Sequence, residues 1–409
     1  MKISFARQIA CVLLFLAATG CGMHQTSPRP TIPLVERIIG DTQSPEYQFL
    51  SRYDASDPRG DIVLLDTPER CFRLSERLVR CDVRDNGDGA ALSDLLPDFA
   101  GERITTLIDL QYTPYSRFVL ADNGDALREV TVRAALAAVD TACCLGPFDH
   151  EKRSSKPSAK LLVISSPYMA AYGGFDVDTL FRATGANVPV ISAPATMMTH
   201  VMDARGKSVN LGILSDSLTA RSGAYQVVFD EVRRQRGDAI STLTTFVLPG
   251  EAVPDSLAQP VADRSEDLFM RILDQYSKSG RSLALDALVV DGYTVTADTL
   301  RTLYREILNQ PSDENAFYRK MLSKDFEIID GPRVVTDACY RYLRDHNLFT
   351  HNIAYPLAAA FITSPEAKGY MLMDFDVNAL PLEMINELRA DAPETFKMYV
   401  QDQYHARRN

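Results

Sequence analysis

The sequence predicts an α/β protein of two related domains, each built on a parallel sheet, with a cleft between them and a helical C-terminal tail. Three observations predict this class. Short apolar strand patterns alternate with amphipathic helix patterns along most of the 409 residues, as in βαβ units. The alternation runs twice, once before about residue 204 and once after it. Several apolar runs also end in polar residues, as strands of open α/β sheets do at the edge where ligands bind.

The first series holds four strand patterns, at residues 61–65, 104–109, 160–165 and 188–192. A helix pattern follows the first strand through Leu78. Another is predicted over 127–144, where apolar residues recur at helical spacing. Two polar stretches are predicted to be solvated loops. They are residues 85–98, which lack the ligand spacing and closing Glu of a calcium loop, and the basic, Ser-rich residues 150–159.

The second series opens with the stretch 209–226, which reads VNLGILSDSLTARSGAYQ. An apolar run ends there in Ser215 and Asp216, and a helix pattern begins at Ser222. This is typical of a buried strand, a polar turn and a helix start. Further strands are predicted at 242–248, 285–290 and 326–330, and helices at 266–278, 298–308, 313–322 and 332–346.

The two series predict the domain boundaries. Residues 46–204 form the first α/β domain, completed by about 332–370, and residues 205–331 form the second. Residues 371–409 are predicted to be a helical extension with apolar side chains at Leu380, Met384 and Leu388. That apolar stripe is typical of core packing, and a partner surface is the alternative.

The first 20 residues have the pattern of an export signal. Lys2 and Arg7 precede an apolar run over 9–18 that is too short to span a bilayer. The run ends in Ala18-Thr19-Gly20-Cys21, which resembles the lipobox of bacterial lipoproteins. The resemblance implies that residues 1–20 are removed and that Cys21 carries the lipid anchor in an envelope membrane. A plain secretory signal is the alternative.

Gly22 after the predicted lipidated cysteine favours the outer membrane. Residues 21–45 are rich in Ser, Thr, Pro and Gln, which predicts a flexible tether. The formal net charge of −11 excludes a nucleic-acid-binding function. The partners that these features predict are therefore the lipid bilayer and other envelope components.

Five cysteines follow Cys21, so at least one is unpaired within the chain. A local disulfide between Cys71 and Cys81 is possible, and Cys143 and Cys144 lie near the predicted end of the helix over 127–144. The chain has no CxxC or HExxH spacing, and its six histidines are scattered. No metal site and no cofactor are predicted.

Short motifs that follow one another along the chain resemble those of bacterial glutamate racemases. The clearest is Thr219 followed by Ser222-Gly223-Ala224-Tyr225-Gln226. The others are Asp66-Thr67-Pro68, Asp109 with Pro114-Tyr115-Ser116 five residues later, and the segments 187–191, 286–290, 328–330 and 361–366. The resemblance covers most of residues 61–367. It implies the Asp/Glu racemase fold, in which two α/β domains enclose the substrate.

The same resemblance predicts that the chemistry has been lost. Such racemases use one cysteine thiolate to remove the Cα proton and a second thiol to return a proton on the opposite face. The matching positions here are Ser166, in Ser165-Ser166-Pro167-Tyr168, and Tyr293, in Gly292-Tyr293-Thr294-Val295. Neither side chain readily supplies a reactive anion near neutral pH. Asp66 is the remaining candidate acid or base, and helix capping is its alternative role.

Two functional hypotheses follow. In the first, a catalytically degenerate lipoprotein binds a small carboxylate, a cell-wall fragment or envelope protein partners. Its predicted ligand-binding residues are Pro114, Tyr115, Ser116, Ser166, Thr219, Tyr293 and Thr294, beside Asp66. In the second, the chain is an active glutamate or aspartate racemase, or a related isomerase, with relocated acid and base. That requires two ionisable side chains facing each other with room for a substrate.

Overall fold

The computed structural model describes residues 30–109, 112–146, 149–206, 208–247, 268–281, 283–291, 295–309, 312–364 and 376–379. Within these ranges two sheets, made mainly of parallel strands, are covered by helices. The predicted α/β class with two parallel sheets is therefore confirmed.

The first half of the chain alternates helices and strands after two short N-terminal helices. In chain order the elements are α1 (Pro33–Gly40), α2 (Pro45–Leu50), β1 (Asp61–Asp66), α3 (Pro68–Arg80), β2 (Arg103–Ile108), α4 (Ser116–Leu120), α5 (Gly124–Val139), β3 (Ala142–Gly146), β4 (Asp149–Ser155), β5 (Ala159–Ile164), α6 (Pro167–Tyr172), α7 (Gly174–Ala183), β6 (Val190–Ser192) and α8 (Ala193–Arg205).

The second half continues the alternation and ends in two strands. Its elements are β7 (Asn210–Ser215), α9 (Ser217–Ser222), α10 (Ala224–Arg236), β8 (Thr242–Val247), α11 (Leu268–Lys278), β9 (Leu285–Val290), α12 (Ala297–Asn309), α13 (Asp313–Arg319), β10 (Leu322–Asp330), α14 (Gly331–Asp345), β11 (Leu357–Ser364) and β12 (Asp376–Ala379).

The first sheet has the strand order β4-β3-β12-β11-β2-β1-β5-β6. Its central strands pair in parallel, with Leu65 beside both Leu107 and Ile164. The pairs β11–β12 and β3–β4 are antiparallel. The second sheet has the order β10-β9-β7-β8, and all its pairs are parallel. Parallel pairing places the carboxyl ends of neighbouring strands at one edge of each sheet.

The two sheets share a hydrophobic core. One cluster of buried side chains includes Leu64 of β1, Met198 of α8, Leu211 of β7 and Val289 of β9. Two further clusters lie under the helices of the first sheet and of the second sheet, respectively. Since burial of apolar area contributes roughly 25 cal/mol per Å², the shared cluster holds the two halves together independently of any polar contact.

Two predictions differ from the structure in the segment 127–159. Helix α5 ends at Val139 and not at Cys144, so Cys143 and Cys144 lie on strand β3. Residues 149–155 form strand β4 and not a surface loop. The reason is pairing: β3 is held by β4 on one side and β12 on the other. Helical periodicity alone does not reveal partners that are distant in sequence.

The N-terminal and C-terminal boundaries also differ from the prediction. Helix α1 lies inside the range 21–45 predicted as a tether, and its Leu34, Val35 and Ile38 are buried. Packed structure therefore begins by residue 33. Within the tail predicted to be helical, residues 376–379 form strand β12, paired antiparallel with β11. The remaining residues of that tail, including Leu380, Met384 and Leu388, lie outside the described ranges.

Cys71 and Cys81 do not form a disulfide. Both carry thiols, and Cys81, which follows the last residue of α3, lies about ten residues beyond Cys71, which corresponds to roughly 15 Å of helix. A disulfide needs Cα atoms within about 7 Å of each other. The Cys71 thiol instead lies 3.6 Å from the Leu64 carbonyl oxygen, and the Cys81 thiol donates to Asp98 Oδ2 at 3.0 Å.

The junction between α6 and α7 gives a direct test of packing. A methyl group added at Gly173 would overlap the buried Thr131 side chain on α5, whereas one added at Gly174 meets nothing within 4 Å. We expect Gly173→Ala to lower the free energy of unfolding by about 1–3 kcal/mol. Gly174→Ala should leave it unchanged or raise it by up to about 1 kcal/mol. Urea unfolding of both variants measures this, and equal stabilities would contradict the close packing of α5 against this junction.

Candidate active-site cleft

Polar residues follow five strands at the edges where the two sheets face each other. Asp66 ends β1, and Asp109 and Ser165 follow the neighbouring strands β2 and β5. In the second sheet Asp216 follows β7 and Asp291 follows β9. Side chains from strands far apart in sequence are therefore brought to one interdomain cleft, the usual ligand site of such sheets.

The Arg70 side chain occupies the centre of this cleft. It projects from the first turn of α3, and its guanidinium contacts carboxylates of both sheets. Arg70 Nη1 lies 3.0 Å from Asp291 Oδ2, Nη2 lies 3.2 Å from Asp216 Oδ2, and Nε lies 3.9 Å from Asp66 Oδ2. Helix α3 thus supplies the cation, the first sheet supplies one acid, and two acids follow strands of the second sheet. We call these four residues the Arg70 cluster.

The Arg70 cluster is largely removed from water. The side chains of Arg70, Asp66 and Asp291 are 12%, 2% and 2% exposed. Burial by itself lowers the pKa of Arg70, but the carboxylates of Asp291, Asp66 and Asp216 outweigh it and hold that pKa well above its ordinary value. The guanidinium therefore stays charged, as a buried cation must be when it is paired.

The hydroxyl of Tyr225 completes the cleft wall on the side of the second sheet. Tyr225, at the start of α10, is buried, and its hydroxyl donates to Asp291 Oδ2 at 3.0 Å. Burial, followed by the charge of Asp291, raises the pKa of Tyr225. Asp216 accepts the Thr219 N–H at 2.8 Å and so caps α9. Asp216 and Asp291 are therefore fixed by the protein before any ligand is present.

Asp66 has a defined local role. Its Oδ1 accepts the Thr67 N–H at 2.7 Å, and its Oδ2 faces Arg70. Its carboxylate therefore interacts with a backbone donor and with a cation. Both contacts are made within the protein, and they hold the Asp66 carboxylate at the start of α3.

Most of the predicted binding residues on the side of the first sheet are buried among other side chains and do not face an open space. Tyr115 is buried, with its ring centroid 6.4 Å from that of Tyr168. Burial, with the charges of Asp109 and Asp66 next, raises the pKa of Tyr115. Ser116 is buried at the start of α4, whereas Pro114 is exposed.

Ser166, which the sequence resemblance predicts to match the first racemase cysteine, is fully buried. It is the N-cap of α6, and its Oγ accepts the Met169 N–H at 3.3 Å. Tyr168, two residues later, is also buried; burial raises its pKa, and the hydroxyl of Thr219 opposes that rise. Ser166 and Thr219 therefore lie in packed positions. Tyr293 and Thr294, like the predicted lipidation site Cys21, lie outside the described residues.

The open space left in the cleft is small. A cavity of about 40 Å³ lies beside the Arg70 cluster, lined on its polar side by Arg70, Arg73, Ser165 and Asp291. That is room for a few water molecules. Ligand pockets typically have about 300–1,000 Å³.

A larger groove lies outside the cleft, of about 870 Å³, between α3, the start of α12 and α14. Its walls are rich in arginine. Local sequence patterns do not predict this groove, because its residues come from elements far apart in the chain.

The described residues show neither a metal-binding cluster nor a helix that could span a membrane. Among them, no group of three or more His, Cys, Asp or Glu side chains is arranged to hold a metal ion. No helix in the described ranges has the length and apolar character needed to cross a bilayer.

Solved structures similar to this chain include glutamate racemases. The enzyme of Francisella tularensis subsp. tularensis SCHU S4, in complex with D-glutamate, is 12% identical with a TM-score of 0.43, over 84% of this chain and 94% of that chain. Glutamate racemase isoform RacE1 of Bacillus anthracis is 18% identical with a TM-score of 0.41, over 75% of this chain and 89% of that chain. The glutamate racemase of Campylobacter jejuni subsp. jejuni is 14% identical with a TM-score of 0.38, over 83% of this chain and 98% of that chain.

No family model and no curated protein matches the chain. The low identities and TM-scores leave the function of this chain to be argued from its own residues.

Sequence reasoning missed Arg70 as a functional residue. One signal was available: acids directly follow the strands at Asp66, Asp216 and Asp291, and Arg70 is one helical turn after the first of them. Three acids at the same edge need a cation, and an i,i+4 arginine is in position to supply it.

The Arg70 cluster predicts a large loss of stability when its cation is removed. We expect Arg70→Met to lower the free energy of unfolding by about 3–5 kcal/mol, because three carboxylates would remain in a buried site without their partner. The matched control is Arg182→Met, which removes an exposed i,i+4 pair with Asp178 and should change stability by less than about 1 kcal/mol. Denaturant unfolding measures both. A similar, small effect in the two variants would show that the cluster does not hold the cleft closed.

Proposed function

We propose that this chain is a membrane-anchored envelope lipoprotein with a glutamate-racemase-like fold, catalytically degenerate, that acts in ligand binding or cell-envelope assembly. The observation that supports the loss of catalysis is the Arg70 cluster. A protein side chain and its three carboxylates occupy the cleft where a substrate would have to lie.

Racemisation at Cα requires one group to remove a proton and another to return a proton on the opposite face. Ser166, at the first of the two family positions, is buried, and its Oγ accepts the hydrogen bond that caps α6. A serine hydroxyl without an adjacent base is a poor proton acceptor. Positioned proton transfer contributes typically 10²–10⁴-fold per group, so the loss of both cysteines removes most of the rate.

The alternative, an isomerase with relocated acid and base, needs two ionisable groups on opposite sides of a substrate. Asp66 and Asp291 do come from different sheets, but both bind the same guanidinium. The Arg70 guanidinium therefore lies between the two carboxylates, in the space that a substrate would need. The cavity of about 40 Å³ beside them leaves no room for an amino acid. These contacts favour a cleft that has lost its catalytic function over one with a relocated acid and base.

The proposed location rests on the N-terminal sequence. Ala18-Thr19-Gly20-Cys21 follows a short apolar run with a basic start. Diacyl or triacyl modification at Cys21 would give stable anchoring, since each buried methylene contributes about 0.8 kcal/mol. Gly22 at the next position favours the outer membrane. Binding would then occur on the surface of the anchored body and not in its closed cleft.

The absence of catalysis is tested by isotope exchange. The full chain in detergent is incubated in heavy water with L- and D-glutamate and L- and D-aspartate, and Cα deuteration is followed by proton NMR. We expect no exchange above the buffer rate, because Asp66 and Asp291 bind Arg70 and the cavity beside them measures about 40 Å³. A working glutamate racemase is the positive control. Exchange that is present in the wild type and lost in Asp66→Asn would overturn the proposal and make Asp66 a catalytic base.

The anchor is tested separately in a bacterial host. We expect labelled palmitate to be incorporated into the wild-type chain and not into Cys21→Ser, with the variant moving from the membrane fraction to the soluble fraction. Cys11→Ser, inside the same predicted signal, is the matched control and should keep both the label and the membrane location. Labelling that persists in Cys21→Ser would refute the proposed lipidation site.

A further inference from the structure

The groove outside the cleft has the size of a ligand site. It measures about 870 Å³, within the range of about 300–1,000 Å³ that is usual for ligand pockets. Helix α3 forms one wall, α14 forms the opposite wall, and the start of α12 and the loop after α3 close its ends. Arg73 lines both this groove and the small cleft cavity, so the two spaces are neighbours, but the Arg70 cluster is not part of the groove.

Charged side chains of both signs line the groove in equal number. Six arginines lie in its walls: Arg73, Arg77, Arg80, Arg84, Arg301 and Arg333. Six acids accompany them: Glu76, Asp82, Asp98, Asp298, Asp330 and Asp337. The net charge of these side chains therefore does not decide what the groove would bind. What decides it is how many hydrogen-bond donors of the arginines and acceptors of the acids are not already used within the protein.

The acids on the α14 wall already have protein donors. Asp330 accepts Arg77 Nη2 at 3.0 Å and the Arg333 backbone N–H at 3.2 Å. Asp337 is bound by the guanidinium groups of both Arg84 and Arg341. Although burial acts in the opposite direction, these two arginines hold the pKa of Asp337 below its ordinary value. Both carboxylates therefore have arginine partners within the protein, and much of their accepting capacity is used.

The acids of the loop after α3 are also satisfied locally. Asp98 accepts the Cys81 thiol at 3.0 Å and the backbone N–H groups of Val83 and Arg84 at 3.1 and 3.0 Å. Asp82 accepts the Ser93 hydroxyl at 2.8 Å. These bonds shape the loop after α3. Asp82, Asp98, Asp330 and Asp337 thus have protein donors, whereas Asp298 pairs with Arg301 and is 88% exposed.

Three of the groove arginines, Arg77, Arg80 and Arg333, keep unused donors. A guanidinium has five N–H donors in a fixed fork. Arg77 forms one ion pair, with Asp330, and Arg80 forms one, with Glu76, while their side chains remain 44% and 47% exposed. The Arg333 guanidinium is exposed on the groove wall and forms no ion pair with any described residue. The open capacity of the groove is therefore a surplus of cationic donors.

Two helix starts add to this surplus. The first residues of α12 and of α14, Ala297 and Pro332 among them, line the groove. The N-terminal end of a helix carries a partial positive charge and N–H groups without helical partners. Their contribution is secondary to that of the arginines, but it has the same sign.

We propose that this groove binds a small ligand carrying oxyanion groups, phosphate or carboxylate, held by the guanidinium groups of Arg333, Arg80 and Arg77. Arginine forks match both oxyanions in a bidentate geometry. The apolar side chains of Val83, Ile329 and Val334 in the same walls would contact the uncharged part of the ligand. This site is independent of the state of the cleft and of the proposed loss of catalysis.

The test uses the full chain in detergent, with pyrophosphate and citrate as two separate probes followed by isothermal titration calorimetry. The binding variant is the double substitution Arg80→Gln with Arg333→Gln. It removes one exposed i,i+4 pair and one exposed guanidinium, so the fold should be retained, and a thermal melt without probe checks this. The matched control is Arg305→Gln, which removes an exposed arginine of the same helix as Arg301 but outside the groove.

We expect at least one probe to bind the wild type and the Arg305→Gln variant equally, and to bind the double variant about tenfold or more weakly, because charge-assisted hydrogen bonds are lost. Preference for pyrophosphate or for citrate identifies the oxyanion. Binding should persist in Asp66→Asn, which separates this site from the cleft. No heat of binding for either probe at millimolar concentration, or equal affinity in the double variant, would overturn the proposal.

Discussion

A single guanidinium lies where the two sheets of this molecule meet. Arg70 belongs to the helix after β1, yet two of its three carboxylate partners follow strands of the other sheet. A charge placed in a site that is mostly closed to water is costly unless its partners are correctly placed. The relative position of the sheets is therefore restricted to arrangements in which Asp216 and Asp291 both reach α3. The shared apolar core alone, being non-directional, would permit more freedom.

The Arg70 cluster also affects where the molecule has open volume for a ligand. In an open α/β sheet the crevice beyond the strand ends is the usual ligand site, but here the cavity that the described residues form beside the Arg70 cluster measures about 40 Å³. A larger open volume lies further along α3, where the same helix presents Arg77 and Arg80 to the groove. Arg70, Arg73, Arg77 and Arg80 recur every three or four residues and so lie on one stripe of the helix. Along that stripe Arg70 lies at the cleft, Arg73 lines both spaces, and Arg77 and Arg80 line the groove. One helix thus closes one site and lines another.

The sequence is sufficient for features that depend on neighbouring residues. The period-two and apolar runs locate β1, β2, β5, β7 and β9 to within a residue or two, since burial on a parallel sheet leaves a local pattern. The polar turn at Ser215 and Asp216 is also visible in the sequence, and both residues lie at the edge of the second sheet.

Features that depend on distant partners are not recoverable in this way. Local patterns predict a helix end and a loop where strands β3 and β4 lie, because the pairing of these strands with each other and with β12 has no local signature. The role of Arg70 requires knowing that Asp216 and Asp291 approach it from across the molecule. The candidate pocket residues show the same limit. Ser166 and Thr219 do lie beyond strand ends, but whether those ends are open or filled depends on side chains from other elements.

The position of β12 has a consequence for how the chain is made. This last described strand lies inside the first sheet, between β3 and β11, and β11 itself pairs with β2; the Thr106 hydroxyl, for example, donates to the Ala359 carbonyl oxygen across 253 residues of sequence. Contacts of such separation close slowly, because the entropy of a long loop is lost before the contact forms. The N-terminal sheet cannot be completed until nearly the whole polypeptide has emerged. In the proposed export of this chain, the first domain would therefore have no finished sheet while the chain crosses the membrane.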